Sequence, residues 1–472
     1  KFIAVMSGAL HDEVCIFFFP FVGGGHMIPM IDMARVFASH GAKTAIVATP
    51  KQSPLFHQFI SRDQQSLNLP ISIQTLNLED NRDIQDPGVT ARPLVDTSML
   101  QQPLKRLLLQ QKPDCIVHDV FHRWAAEAID STGTPRITFS GNGCFPKCVD
   151  DRLFEHRPQD TVSSDYEPFV VPGLPDVIEL TRSQLPSFAR PRNLVATAEE
   201  KTLGVLINSF YDLEAKYADQ IKAQLEGRAW LAGPVSLFNM NVEDKSVRGR
   251  RSVVQEEILL AWLAGKPKHS VLYISFGSLV RMASWQLQEI AHGLENAGCQ
   301  FIWVVPEKEE GEEKCSWLAN GYEERLREKG LIIRGWAPQL LILENPSVGA
   351  FMTHCGWNST LEGVAAGVPM ITWPYSGDQF MNEKLIVDVL GIGIKVGSLH
   401  WTTWNPEPKC MVGRDKVEAA VRKWMDGGED LRAMRSRVED LREKARRAVE
   451  PGGSSFNDVD ALIGVIERHR SR

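Results

Sequence analysis

Short apolar runs separated by amphipathic stretches dominate the chain from Val14 onward. VCIFFFPF (14–21), KTAIVATP (43–50), ISIQTL (71–76), DCIVHD (114–119), RITFS (136–140) and GVLINSF (204–210) alternate mostly with helix-like segments. The rhythm returns in SVLYISF (270–276), QFIWVV (300–305), GLIIRGW (330–336), VGAFMTH (348–354), VPMITW (368–373) and IGIKVG (392–397). Such alternation predicts parallel sheets with helices on both faces, and its recurrence predicts two doubly wound α/β domains. NMNVEDKSVRGRRSVVQEE (239–257) is polar and without apolar periodicity, as an exposed interdomain linker would be, which sets the boundary near residue 250. The expected layout is an N-terminal domain over 1–245, a second domain over 246–450 and a last helix over 451–472 packing back towards the N-terminal domain. Between 141 and 203 prolines interrupt the pattern, predicting loops and short helices around the first domain's sheet edge.

A length of 472 residues exceeds what one core comfortably holds, in keeping with two domains. The net charge of -7, with no long basic run, argues against nucleic acid or an anionic membrane as partner and leaves small molecules. The 8 cysteines are scattered with no Cys-x-x-Cys pair, which predicts buried thiols in a reducing, cytoplasmic compartment. No apolar run reaches the roughly 18 residues of a membrane helix. The opening Lys1 and FIAVMSGAL imitate a signal peptide faintly, and a loose leader before the first strand explains them equally well.

WAPQLLILENPSVGAFMTHCGWNSTLEGVAAGVPMITWPYSGDQ (336–379) carries the densest candidate chemistry. Trp336 leaves a strand end, which sets its indole in the crevice where open α/β sheets bind ligands, although a lone Trp there is more often packing. HCGWNSTLEG (354–363) passes from a strand end into a helix whose first turn holds Asn358 and Ser359, and free N–H groups there favour a diphosphate. Helix capping is the bland alternative for those two residues, but a cap needs no imidazole like that of His354. Glu362, one helical turn after Asn358, suits the paired hydroxyls of a ribose. Asp378 and Gln379 supply acceptors and a donor for a hexose, or else cap a helix.

In these 44 residues the chain resembles the signature box of plant family-1 glycosyltransferases, which transfer sugars from UDP-sugars to small metabolites. INSFYDLE, WLAGPVSL, SVLYISFGSL, FIWVV and GGSSFNDVDAL extend the resemblance along nearly the whole chain. It implies a GT-B fold: two facing Rossmann-like domains with parallel sheets and an interdomain cleft, the C-terminal one holding the UDP-sugar. By residue it implies Trp336 stacked on uracil, Ala337 bonding the base through its backbone, and Gln339 and Glu362 on the ribose. Ser278, His354, Asn358 and Ser359 would take the diphosphate, and Trp357, Asp378 and Gln379 the sugar, with Gln379 favouring glucose.

FPFVGGGHMIP places three glycines before His26 at the start of an amphipathic helix, and a helix N-terminus disfavours imidazolium, leaving the neutral ring a base requires; a loop histidine with no role is the bland alternative. Gly23 and Gly25 would need a third glycine at Ile28 to make a dinucleotide fingerprint, so that reading fails. Asp119 ends an apolar strand that a parallel sheet would set beside the His26 loop. The resemblance pairs the two as a catalytic dyad for direct, anomer-inverting displacement. It also points to Phe121, Trp124, Asn142, Phe145 and Tyr375 as acceptor contacts, with ordinary core as the alternative for each. His122-Arg123 stands where the family more usually has Phe-Pro, and a more polar pocket mouth is expected from it. The only Asp-x-Asp, Asp458-Val459-Asp460, falls in the first turn of the last helix, where Asp is locally favoured, so no metal is required.

The reading is thus an inverting glucosyltransferase using UDP-glucose as co-substrate on a hydroxyl of a triterpenoid, steroid or flavonoid. A monomer is expected. UDP-glucuronate or UDP-galactose as donor, C-glycosylation, or UDP-sugar binding without catalysis are its alternatives.

Overall fold

The computed structural model describes residues 14–78, 95–186, 201–249, 254–280, 282–305, 321–402 and 412–470. Every apolar run named above carries a strand. In the first half these are β1 (Cys15–Phe19), β2 (Lys43–Ala48), β3 (Ile71–Thr75), β4 (Cys115–Asp119) and β5 (Arg136–Ser140). A small antiparallel pair, β6 (Phe169–Val170) and β7 (Glu179–Leu180), follows, then β8 (Val205–Ile207) and β9 (Ala229–Leu231). The second half carries β10 (Val271–Ser275), β11 (Gln300–Val305), β12 (Gly330–Arg334), β13 (Val348–Thr353), β14 (Met370–Thr372) and β15 (Gly393–Lys395).

Among the described residues, one parallel sheet has the order β3-β2-β1-β4-β5-β8-β9 and another β12-β11-β10-β13-β14-β15. Both orders reverse once, between β1 and β4 and between β10 and β13, and such switch points open crevices at the strand C-termini. Helix-covered parallel strands are buried on both faces, so they read as unbroken apolar runs. β4 departs from that rule, since CIVHD is buried throughout although His118 and Asp119 are polar.

The chain divides into two units: Lys1–Cys144, Pro191–Gly249 and Lys444–Arg472 form one, and Phe145–Arg190 and Arg250–Glu443 the other. The described residues 145–186 therefore group with the second unit and not with the first, to which the sequence reading assigns them. The Trp401 N–H donates to the Ser183 carbonyl at 2.7 Å, and the Tyr166 ring meets that of His400 edge-on at 5.6 Å, binding this stretch to the second unit. The start of the expected linker is also corrected. Asn239 is buried, accepting from Arg35 Nη1 at 2.6 Å and donating to Asp32 at 3.1 Å, and Val242–Val247 is helical.

The helix Ser454–Arg470 completes the first unit. Asp458 accepts the Leu231 N–H at 2.8 Å and pairs with Lys222, while Asp460 meets His40 at 2.6 Å, so both carboxylates of the Asp-x-Asp are structural. No helix among the described residues is long and apolar enough to cross a membrane. The Lys1 leader lies outside the described residues.

Candidate functional site

Parallel pairing of β1 with β4, Phe19 opposite His118, brings their C-terminal ends side by side. After β1 the chain turns through Gly23, the N-cap of helix Gly24–Ser39, whose carbonyl accepts the N–H groups of His26 and Met27 at 3.0 and 2.8 Å. Asp119 closes β4. The His26 Nδ1 lies 2.8 Å from Asp119 Oδ2, with the imidazole 19% exposed and the carboxylate wholly buried. Asp119 Oδ1 accepts the Phe121 N–H at 2.9 Å.

An isolated buried carboxylate costs several kcal/mol, so its partners must outweigh desolvation. Burial alone raises the Asp119 pKa, but the charge and hydrogen bond of His26 and the Phe121 amide win and hold it below the ordinary value. The carboxylate is ionised, and because it only accepts, His26 carries its proton on Nδ1 and offers Nε2 as a base. Phe121 meets the imidazole edge-on at 4.5 Å. Gly141 leaves room for the ring, since a Cβ there would come within 2.6 Å of it.

In the second unit, Ser275 pairs with Thr353, so the turns after β10 and β13 are neighbours. His354 lies half-buried between Gly277 and Gly356. A Cβ on Gly277 would stand 2.6 Å from its ring, and one on Gly356 would overlap it. Gly277 also has φ +74°, a backbone that other residues rarely adopt. His354 Nδ1 is shut off from solvent without a hydrogen-bond partner, and burial lowers the imidazole to about 4, so the ring is neutral.

Gly356 is the N-cap of helix Trp357–Ala366 and no side chain caps it, so Asn358 and Ser359 sit inside the first turn rather than acting as the cap. Gln339 links the expected ribose residues: Nε2 donates to Glu362 at 2.7 Å and to Ser359 at 3.3 Å, while Oε1 accepts from Tyr273. Trp336 is half-buried beside a buried Ala337. Ser278 follows Gly277 and is also half-buried, whereas Trp357 is buried. Gln379 Oε1 accepts the N–H groups of Tyr375 and Ser376 at 2.8 and 2.9 Å, which fixes its amide.

Asn382 was not anticipated. Its amide donates to Asp378 at 2.9 Å and to the Cys355 carbonyl at 2.8 Å, tying the expected sugar carboxylate to the His354 turn. Cys355 has φ +63°, a strain of the kind that persists where neighbours enforce it. The signal in the sequence was an amide one helical turn after Asp378.

The expected acceptor residues divide. Phe121, Trp124 and Asn142 belong to the first unit, Phe145 and Tyr375 to the second. Phe145 is fully buried and Tyr375 nearly so, whereas Trp124 is half-buried with its indole N–H on Thr97 at 3.0 Å. His122 does not make a polar pocket mouth. It is buried, stacks on Phe19 at 4.2 Å and is lowered to about 4, chiefly by burial, while Arg123 alone is exposed. No cluster of His, Cys, Asp or Glu suited to a metal occurs among the described residues.

Residues 255–403 match the family described as UDP-glucoronosyl and UDP-glucosyl transferase. The chain is 52% identical to an abscisate beta-glucosyltransferase of Phaseolus angularis, covering 97% of this chain and 98% of that one. It is 44% identical to UDP-glucose flavonoid 3-O-glucosyltransferase 7 of Fragaria ananassa, covering 96% of each. Among solved structures, Glycyrrhiza uralensis UGT73P12 complexed with glycyrrhetinic acid 3-O-monoglucuronide is similar with a TM-score of 0.88 at 36% identity, covering 97% of this chain and 96% of that one.

Proposed function

Because this chain belongs to the plant family-1 UDP-dependent glycosyltransferases of GT-B fold, we propose that it moves glucose from UDP-glucose to an oxygen of a small, largely apolar plant metabolite. The observation that carries this reading is the 2.8 Å contact between His26 and the ionised Asp119. His26 Nε2 takes the proton of the acceptor hydroxyl as its oxygen attacks the anomeric carbon, and the bond from that carbon to the diphosphate breaks. Asp119 holds the ring in its Nδ1–H tautomer and stabilises the imidazolium that forms. Attack opposite the leaving group inverts α-linked UDP-glucose to a β-glucoside.

Charge that develops on UDP meets the uncapped first turn of helix Trp357–Ala366, with Ser278, His354, Asn358 and Ser359 around it. Trp336 and Ala337 take the uracil, Gln339 and Glu362 the ribose, and Trp357, Asp378 and Gln379 the glucose. Flavonoids, triterpenoids and steroids remain acceptor candidates, and abscisate joins them from the relative at 52% identity. Phe121 and Trp124 give the first unit an aromatic wall for such skeletons. The activity is assigned to a cytoplasmic monomer that needs no metal.

Mass spectrometry of UDP-glucose incubated with abscisate, flavonoids, triterpenoids and steroids tests this, beside His26→Ala. A hexose-sized mass gain that vanishes in the variant is expected. Free glucose formed with or without acceptor, or no binding of UDP-sugars, overturns it.

A further inference from the structure

His122 sits in a ring of aromatics formed with Phe19, Phe21 and Trp124, lying parallel to Phe19 with an interplanar angle of 9°. Its Nε2 is 3.1 Å from the Pro20 carbonyl and its Nδ1 2.9 Å from Thr97 Oγ1, which also receives the Trp124 indole N–H at 3.0 Å. Donor and acceptor chemistry fixes the direction of each bond. A carbonyl only accepts, so the His122 proton is on Nε2, and an indole N–H only donates, so Thr97 accepts from Trp124 and gives its own proton to Nδ1. The chain Trp124 to Thr97 to His122 to Pro20 then has every donor and acceptor matched.

That chain touches both halves of the dyad's support. Pro20 begins the turn that delivers His26, and the residue that carries the imidazole follows Asp119 in the turn after β4, its backbone N–H donating to the Asp119 carbonyl at 3.2 Å. Packing alone does not account for an imidazole here. A phenyl ring would stack on Phe19 equally well without the cost of burying two polar nitrogens, and phenylalanine is what the resemblance leads one to expect. We propose that His122 is a positioning residue, which by bridging Pro20 and Thr97 locks the turn after β1 to the turn after β4 and so sets the His26–Asp119 contact.

This inference rests on the dyad reading above. The charged groups facing His122 are Asp119, which favours its protonation, and His26, which opposes it, and burial outweighs both and keeps the ring neutral. The bridge therefore stays in one tautomer across the pH range in which a general base works.

The test compares native protein, His122→Phe, His122→Gln, Thr97→Val and His26→Ala in kcat, KM for UDP-glucose, the pH profile of kcat/KM and thermal midpoint. His122→Phe is expected to lower kcat about tenfold, leave KM for UDP-glucose unchanged and move the acid limb of the profile to lower pH, because an imidazole held less closely to a carboxylate gives up its proton more easily. His122→Gln, which can donate at one end and accept at the other, recovers part of the loss, and Thr97→Val shows a smaller one. A His122→Phe enzyme with native kcat and pH profile, beside an inactive His26→Ala, overturns the positioning role and spares the dyad. Activity that falls only with the folded fraction overturns it too, and an active His26→Ala overturns both readings. Should His122→Phe fail to fold, nitrogen-15 spectra of the native protein decide together with Thr97→Val. A proton on Nδ1, or native kcat in Thr97→Val, overturns the proposal, and a proton on Nε2 with reduced kcat supports it.

Discussion

At the switch point between β1 and β4 a histidine meets a carboxylate at 2.8 Å; at the matching switch point between β10 and β13, His354 has no hydrogen-bond partner at Nδ1 among the described residues. His26 is held by charge and His354 by the steric walls of Gly277 and Gly356. The first arrangement favours a ring that gains a proton during reaction, since the buried carboxylate is ready to balance it. The second penalises protonation and keeps a neutral polar ring beside an uncapped helix start. One topology thus supports either a proton acceptor or a fixed dipole, and the neighbour at the next strand end decides which.

Removing the charge partner should break the contrast most severely. His26→Ala and Asp119→Asn are each expected to lower kcat/KM by about 10³-fold or more, read by initial rates, with UDP-glucose affinity from calorimetry little changed. Native UDP-glucose affinity lost in either variant would mean that the residue binds donor instead.

Acid should separate the two rings next. His354 has its folded pKa lowered to about 4 from an ordinary 6.5, so its stabilising contribution is present above the unfolded value and lost as pH falls through the folded one. Between those limits the native protein is expected to lose stability, and His354→Gln to lose less by on the order of 3 kcal/mol at most, measured by urea midpoints. His118 and His122, also lowered to about 4 by burial, add to the native slope in the same sense. Asp119, with its pKa lowered, loses its contribution only at still lower pH.

Filling the glycine wall probes geometry without touching charge. Gly356→Ala places a methyl against His354 and is expected to raise KM for UDP-glucose about tenfold with a smaller effect on kcat. The smallest change should come from Gln339→Ala, which strips Glu362 and Tyr273 of a shared partner and is expected to raise the same KM a few-fold.

Strands were legible because the sheets are parallel and buried on both faces, so each core strand is a continuous apolar run flanked by polar turns. β9 escaped notice, being the three residues Ala229–Leu231 at a sheet edge. The places of His26 at a helix start and Asp119 at a strand end were legible too, because each follows or closes an apolar strand run, and Glu362 was placed one helical turn after Asn358, whereas Gln339 came from the resemblance alone. Direction of side chains within turns was not. Beyond a strand's last residue the period of two ends, so nothing in VFHRW says that His122 turns inward and Arg123 outward. The partners Thr97 and Asn382 are polar residues whose role exists only once distant segments meet.

The helix Ser454–Arg470 belongs to the unit whose first strand is Cys15–Phe19, and Ser455 donates to the Gly233 carbonyl while Asp458 caps Leu231. During synthesis those contacts arrive roughly 200 residues after the rest of the unit has emerged, about 10–40 s at ~5–20 residues per second. Throughout that interval the edge strand β9 lacks its covering helix, so the nascent first unit waits unfinished while the second is made. A ribosome that stalls after the second unit would release a chain with that unit complete and an open sheet edge in the first, the kind of species that quality control by chaperones and proteases intercepts.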